Sequence, residues 1–248
     1  MPKLSPEQIN PYDNTRGKTE QVREMFDNIA PSYDSLNRAM SFGLDRSWRA
    51  KAVRMVGERN PESIVDIATG TGDFAISLAR AIPGAKVTGL DLSEGMIAVG
   101  REKVERSGLA DRVTLTPGDC LASPLPEGEA DAVTVAFGVR NFADLAAGYR
   151  SMYRMLRPGG MLCVIELSVP SSRLVRPFYD IYTRGIIPIM GRAVSADRRA
   201  YSYLPESIAA VPCRENMCRL MTDAGFTDAT YRTLTLGVCT IYTAFKPA

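Results

Sequence analysis

The chain has 248 residues, 45% of them hydrophobic and 23% charged, with a formal net charge of +2. That length and balance fit a folded protein with a sizeable core and exclude a polycation that binds nucleic acid by charge alone. It contains no histidine, which excludes a Ser-His-Asp triad, a His-based zinc site and any imidazole general base.

Residues 1–18 are polar and broken by Pro and Gly, and are expected to form a loose arm. A helix is expected from near Thr19, with Val22, Met25, Phe26 and Ile29 on one apolar face, ending at Ala30-Pro31. Residues 32–43 read as irregular. Residues 44–58 read as a second amphipathic helix with Leu44, Trp48, Val53 and Val56 inside. Ile64 to Ala68 reads as a short buried strand, Thr69-Gly70-Thr71-Gly72 as a tight turn, and Asp73 to Ala81 as a helix. Further strands are expected at Lys86–Leu90, Arg112–Pro117, Ala130–Phe137 and Met161–Leu167, separated by helices from Ser93 to about Ser107 and from Asp144 to Leu156. This alternation specifies a doubly wound, mostly parallel α/β sheet. Residues 206–224 read as one or two helices, and Thr230 to Leu236 with Val238 to Phe245 as a closing antiparallel pair. The expected organisation is effectively one domain. It has an N-terminal arm and helical cap over residues 1–58, and a seven-stranded core over 59–248 with a helical insert at about 171–203. No internal repeat or low-complexity tract is present.

The five cysteines, Cys120, Cys163, Cys213, Cys218 and Cys239, form no CxxC, so reduced thiols are expected rather than a disulfide framework or a metal site. The N-terminus lacks the apolar core of a signal peptide, and no apolar run reaches the roughly 18 residues that span a bilayer. The expected compartment is the cytoplasm.

Gly70 and Gly72 sit at a strand-to-helix turn, where glycine lets the backbone approach a ligand closely. Asp91, 21 residues after Gly70, ends the next strand and is placed to accept both ribose hydroxyls of an adenosine. Asp119, after the third strand, suits the adenine amino group, with Cys120 against the ring face. Asp73 in the first helical turn repels a pyrophosphate, and Asp66 behind the loop adds to that charge. The acids therefore favour a cationic, amino-bearing cofactor such as S-adenosylmethionine over a dinucleotide.

The arrangement resembles class I S-adenosylmethionine-dependent methyltransferases, which have a Rossmann-like fold. More narrowly it resembles the menaquinone and ubiquinone biosynthesis C-methyltransferases. Matching segments run from about residue 22 to 245; FDNIAPSYD, FGVRN and YSYLPESI are the most restrictive. The resemblance implies cofactor contacts from Asp66, Gly70, Thr71, Gly72, Asp91, Leu92, Asp119 and Cys120. Ala136 stands where the family often has Ser or Thr, so one hydroxyl contact to the cofactor is absent. Val211 and Cys213 flank Pro212 where many relatives carry His.

Methylation of a quinol ring needs a group to take a phenolic proton and a cation near the resulting oxyanion. Arg140 and Asn141, after the fourth strand, lie at the carboxyl end of the sheet, where ligands bind. Arg140 stays protonated, so it can hold a water and stabilise a phenolate. Tyr33 can close over the same crevice. The resemblance points to the same trio; a loop role for Arg140, paired with Asp144, is the alternative. Tyr201 and Tyr203 fall on one side if their stretch is extended, and can wall the ring or simply pack. Asp34 and Asp45 can orient Tyr33 or nearby arginines.

The insert at 171–203 holds six Arg and two Asp among Phe178, Tyr179, Tyr182, Ile186, Ile187, Ile189 and Met190. Phe178 and Tyr182 are candidate substrate contacts. This mix suits a lid touching an anionic membrane surface or an isoprenoid tail, ahead of a structural lid at a homodimer interface or an RNA contact. The expected function is S-adenosylmethionine-dependent C-methylation of a prenylated quinol, first demethylmenaquinol to menaquinol, with a 2-polyprenyl-methoxy-benzoquinol as alternative. Another small-molecule methyltransferase, a nicotinamide oxidoreductase or a binding protein without activity are the remaining readings. The expected partners are the quinol and, transiently, the inner face of the cell membrane, with no nucleic acid and no metal.

Overall fold

The computed structural model describes residues 5–123, 125–187 and 198–248, excepting the side chains of Arg184, Arg198 and Tyr201. The central sheet contains β1 (Ser63–Ile67), β2 (Lys86–Asp91), β3 (Val113–Pro117), β4 (Ala130–Ala136), β5 (Leu156–Leu167), β6 (Thr227–Leu234) and β7 (Cys239–Phe245). Their spatial order is β3-β2-β1-β4-β5-β7-β6. Neighbours from β3 to β5 are parallel, and β7 runs antiparallel to both β5 and β6. This is the Rossmann-like class I methyltransferase sheet, and it carries the expected antiparallel close.

The central strands β1, β4, β5 and β7 are buried on both faces because helices cover both, whereas the edge strand β6 is mostly exposed. One layer packs Trp48, Val53 and Val56 of α3 (Leu44–Gly57), with Phe74 and Leu78 of α4 (Asp73–Ala81), on the sheet. The other packs Tyr149 and Met152 of α6 (Leu145–Met155) beside Met217 and Met221. Between them in sequence, α5 (Glu94–Arg106) is capped by Ser93, whose hydroxyl accepts from the Met96 N–H at 3.0 Å.

The N-terminal region departs from expectation in two ways. The arm is not loose. Gln21 of α1 (Lys18–Ile29) accepts from the N–H groups of Tyr12 and Asp13 and donates to the carbonyls of Asp13 and Arg16. Lys18 donates to the Pro6 carbonyl, and burial lowers its ammonium to about 8. Residues 32–43 are not irregular but hold α2 (Tyr33–Met40), whose only buried residue is Leu36. One apolar residue is too thin a stripe to reveal a helix. Leu44, expected inside, is 40% exposed at the start of α3.

Towards the C-terminus, α7 (Arg176–Ile181) runs into a π-helical turn at Tyr182–Ile186. Next come α8 (Arg198–Ala210) and α9 (Glu215–Asp223). Tyr201 and Tyr203 are therefore helical rather than extended. The extended stretch on which a shared side depended is thus not formed. Ile189, Met190 and the rest of the expected lid between 188 and 197 lie outside the described residues.

Candidate active site

The sheet's carboxyl edge holds two openings that meet at Tyr33 and Phe137. The first lies over β1, β2 and the turn after β1. Gly70 and Gly72 have φ of 56° and 75°, the left-handed region that lets this turn bring the N-terminus of α4 up to the crevice. Asp66 lies beneath it, opposite Gly89 on β2 and Thr134 on β4. Its two oxygens accept from the Thr69 hydroxyl at 2.6 Å and the Thr134 hydroxyl at 2.7 Å. Burial raises this carboxyl to about 6 against those bonds. Asp66 thus holds the loop from behind.

Asp91 ends β2 at the rim. One oxygen accepts from the Gly70 N–H at 2.8 Å and the other from the Ser93 N–H at 2.9 Å. A carboxylate oxygen takes two bonds, so each keeps capacity for a ligand hydroxyl. Burial raises Asp91 to about 6. Asp119 accepts from the Leu121 N–H at 2.8 Å through one oxygen. Cys120 is buried and its thiol is pushed up to about 12, so it is neutral. Leu92, Asp119, Cys120, Ala136 and Asn141 line this opening with Asp91 and Gly70. Phe26 of α1, Met96 of α5 and Phe142 complete it, and their part was not legible from sequence spacing. Two acids with open lone pairs at the ends of an apolar slot fit an adenosine, with hydroxyls and amino group at opposite ends.

A small polar cavity continues from this slot past Gly70. It is lined by Tyr33, Asp45, Arg49, Asp66, Thr71 and Asp73, among others. Thr71, expected to bind a cofactor, donates to Asp34 at 2.6 Å and accepts from Lys103 at 2.9 Å. Asp73 is also engaged: Lys103 bonds one oxygen and Arg49 lies 3.3 Å from the other. Arg49 in turn pairs with Asp45. The expected negative field from Asp73 is therefore offset by two cations. The cavity offers carboxylates and the Arg49 guanidinium together, a donor set matched to an amino acid's ammonium and carboxylate. Arg49 and Lys103 were missed because Asp73, which both reach, lies on another element.

The second opening is an apolar cleft of about 330 Å³. Trp48, Phe137, Leu167, Tyr179, Tyr182 and Ile208 are among its walls, and Phe178 stands at its edge. Arg140 and Asn141 lie on the single 3₁₀ turn Val139–Asn141 after β4. Arg140 lines the cleft, while Asn141 lines the adenosine-shaped slot. The Arg140 guanidinium donates to Glu166 at 2.8 Å and to the Phe137 carbonyl. Its backbone N–H also reaches Glu166, at 3.2 Å. Asp144 instead caps α6 through the Ala147 N–H, so the alternative Arg140–Asp144 pair is absent. Glu166 on β5 was missed by sequence reading, since a lone acid in VIEL looks like the end of a buried strand.

Tyr203, 3% exposed, donates to Asn141 Oδ1 at 3.1 Å. Tyr33 stands where slot, polar cavity and cleft meet. Burial raises the phenols of both, so both are neutral donors. The side chain of Tyr201 lies outside the described residues. Phe137 holds φ of 63°, a strained conformation for a bulky residue, and its ring packs edge-on to Trp48 at 6.2 Å. No cluster of potential metal ligands occurs among the described residues.

A family model described as the ubiE/COQ5 methyltransferase family matches residues 14–246. A Porphyromonas gingivalis protein named demethylmenaquinone methyltransferase is 48% identical over 243 residues, covering 98% of this chain and 99% of that protein. A Bacteroides fragilis protein of the same name is 46% identical, covering 97% and 98%. A Geobacter sulfurreducens protein, named ubiquinone/menaquinone biosynthesis C-methyltransferase, is 44% identical, covering 92% and 90%. Among solved structures, a methyltransferase from Thermotoga maritima superimposes with a TM-score of 0.64 at 20% identity over 91% of this chain and 99% of that one, a likeness of fold alone.

Proposed function

The chain belongs to the ubiE/COQ5 methyltransferase family, and we propose that it methylates a ring carbon of a prenylated quinol, converting a demethylmenaquinol to a menaquinol. It is an S-adenosylmethionine-dependent methyltransferase. The observation that carries the substrate reading is the meeting of an acid-ended slot and an apolar cleft at Tyr33 and Phe137, with Arg140 lining the cleft. In this reading Asp91 holds the ribose, Asp119 and Cys120 the adenine, and Arg49 with Asp45 the amino-acid end of the cofactor. Gly70, Gly72, Leu92 and Ala136 give it close backbone and apolar contact, while Asp66 and Thr71 fix the loop.

When bound, S-adenosylmethionine supplies an electrophilic methyl group and carries away the leaving electron pair on sulfur. The chain must present the acceptor carbon, exclude water and manage two protons, one phenolic and one from the ring carbon. Loss of the phenolic proton makes the adjacent ring carbon nucleophilic. Arg140, always protonated and fixed by Glu166, stabilises the phenolate as it forms. Asn141 turns its carbonyl to Tyr203, leaving its amide N–H groups for a quinol oxygen or a water. Tyr33, neutral, donates to the same region. With no imidazole in the chain, the protons pass to water held by these groups. Tyr182 and Phe178 wall the ring and the first tail units. Because the acceptor is a lipid, the protein meets an anionic membrane surface at the inner face of the cell membrane; no helix among the described residues is long and apolar enough to cross one.

The test supplies methyl-labelled S-adenosylmethionine with a demethylmenaquinol or a 2-polyprenyl-methoxy-benzoquinol, each with and without a chemical reductant. The benzoquinol arm is included because a 44% identical relative is named for both pathways. Label is expected in the naphthoquinol only while it is reduced. Equal labelling of the oxidised quinone, or label in neither lipid, overturns the reading.

A further inference from the structure

The mouth of the apolar cleft is ringed by exposed apolar side chains, of which only Phe178 has a part in holding the substrate. Phe42 tips the turn between α2 and α3 and is 76% exposed; Leu236 tips the turn between β6 and β7 and is 75% exposed. Their neighbours Leu44 and Thr235 line the cleft itself. On a third side, Leu174 is 83%, Phe178 75% and Ile181 65% exposed. Spacings of four and then three residues place these on one stripe along α7 and the turn before it. The opposite flank turns inward, where Thr183 is buried and the Tyr182 hydroxyl donates to the Met40 carbonyl. The Phe42 and Tyr182 rings, 5.7 Å apart, join the α2–α3 turn to this helix.

Three elements remote in sequence thus end in large apolar groups around one opening. Such a patch on a folded protein marks an interaction surface. Its charge selects the partner. Arg38 and Arg46 stand four residues either side of Phe42, and Arg173 precedes Leu174. None of the three has a carboxylate partner among the described residues, whereas Arg176 pairs with Asp180 at 3.4 Å. Two copies joined through this face would bring unpaired arginines together. An anionic bilayer meets both features, taking apolar tips into its interface and arginines at its phosphates.

We propose that this face docks flat on an anionic bilayer, with Phe42, Leu236 and the Leu174–Phe178–Ile181 stripe entering the interfacial layer. The cleft then opens directly into lipid, and the quinol ring enters while its tail stays in the membrane. The proposal rests on the prenylated-quinol reading for the second of these statements but not for the first.

The experiment uses the full chain and vesicles of phosphatidylcholine with or without phosphatidylglycerol. It compares wild type with Leu174→Glu/Ile181→Glu and with Arg38→Gln/Arg46→Gln/Arg173→Gln. Neither Leu174 nor Ile181 lines the cleft. Wild type should float with phosphatidylglycerol vesicles and release as salt rises. Each multiple variant should bind these vesicles about tenfold or more weakly. Turnover of a short-tailed soluble quinol should match wild type in both, which also shows that they fold. The KM for a long-tailed quinol in vesicles should rise by a similar factor. Unchanged vesicle binding by the Leu174→Glu/Ile181→Glu variant overturns the proposal. So does a wild-type dimer that this variant separates, which would assign the face to a second copy. Patch-dependent vesicle binding without methylation of either quinol would support docking while overturning the substrate reading.

Discussion

Arg140 meets Glu166 across 2.8 Å in the interior, with 7% of the one side chain and 1% of the other reaching solvent. Desolvating such a pair offsets much of its attraction, so it is a poor device for stability. It is a good device for holding a cation still. The Arg140 Nε is buried and has no hydrogen-bond partner among the described residues, so one N–H is left over. A charge fixed before the reaction needs no reorganisation when a phenolate appears.

Arg140→Leu is expected to lower kcat by roughly 10²-fold with little change in cofactor affinity, because its contribution is made in the transition state. Glu166→Gln should leave the arginine buried without its counter-ion and reduce unfolding free energy by about 3 kcal/mol or more. The double variant should be more stable than Glu166→Gln alone while remaining inactive. Urea unfolding with steady-state kinetics on all three checks this, and simple additivity would count against the pair acting as a unit.

Asp91 and Asp66 bring pH into the picture from opposite directions. Asp91 must be ionised to accept two hydroxyls, and its raised value of about 6 means that cofactor affinity should fall as pH drops through 6. Asp91→Asn should bind weakly and with a flat profile. Calorimetry over roughly pH 5 to 8, which brackets the raised carboxyl, reads both.

For Asp66 the linked quantity is stability. Its folded value of about 6 exceeds the ordinary 3.8, so between these the folded state retains a proton that the unfolded chain has lost. Its contribution is full below the lower value and is lost as pH rises through about 6. Asp66→Asn should therefore gain on wild type as pH rises from 4 to 8, by about 2–3 kcal/mol, in denaturant titrations at each pH.

Gly89 should not tolerate alanine. A Cβ there would lie 2.5 Å from a Leu115 methyl and 2.7 Å from the Thr69 hydroxyl oxygen that donates to Asp66. Gly89→Ala is expected to cost about 1–3 kcal/mol and to weaken cofactor binding, since Thr69 must leave Asp66. Unchanged melting and unchanged affinity would show that the loop has slack.

Lys103→Met removes the cation that joins Asp34 of the cap to Asp73 of α4. These groups are partly exposed, so the expected loss is about 1–2 kcal/mol, shrinking as salt is added. Hydrogen exchange of α2 should rise more than that of the sheet, because α2 buries only Leu36.

The alternating core was legible because hydrophobic period and turn residues agree along it. So was the placing of Gly70, Gly72, Asp91 and Asp119 at the ends of successive strands. What escaped has a common cause. The engaged state of Thr71 depends on Asp34 and on Lys103, 37 and 32 residues away respectively. Glu166 meets Arg140 only because β4 and β5 are neighbours. Sequence spacing leaves open whether Tyr201 and Tyr203 lie on an extended or a helical stretch, and Pro205, which discourages a helix, sits inside α8.

The reversed direction of β7 also divides the crevice electrically. On the parallel side, β1 and β2 each turn into the N-terminus of a helix, α4 and α5, whose positive dipole ends lie beside the slot. Beyond β5 the sheet meets the β6–β7 turn instead, whose backbone is internally spent: Val238 donates to Thr235 at 3.1 Å and Ser168 to the Val238 carbonyl at 2.8 Å. Trp48 fastens that turn through the Thr235 hydroxyl at 2.8 Å. One half of the crevice is thereby a polar solvent for a charged ligand, and the other a dry one for a greasy ligand. A protein continuing its parallel alternation would have put a helix dipole where this one has an apolar wall.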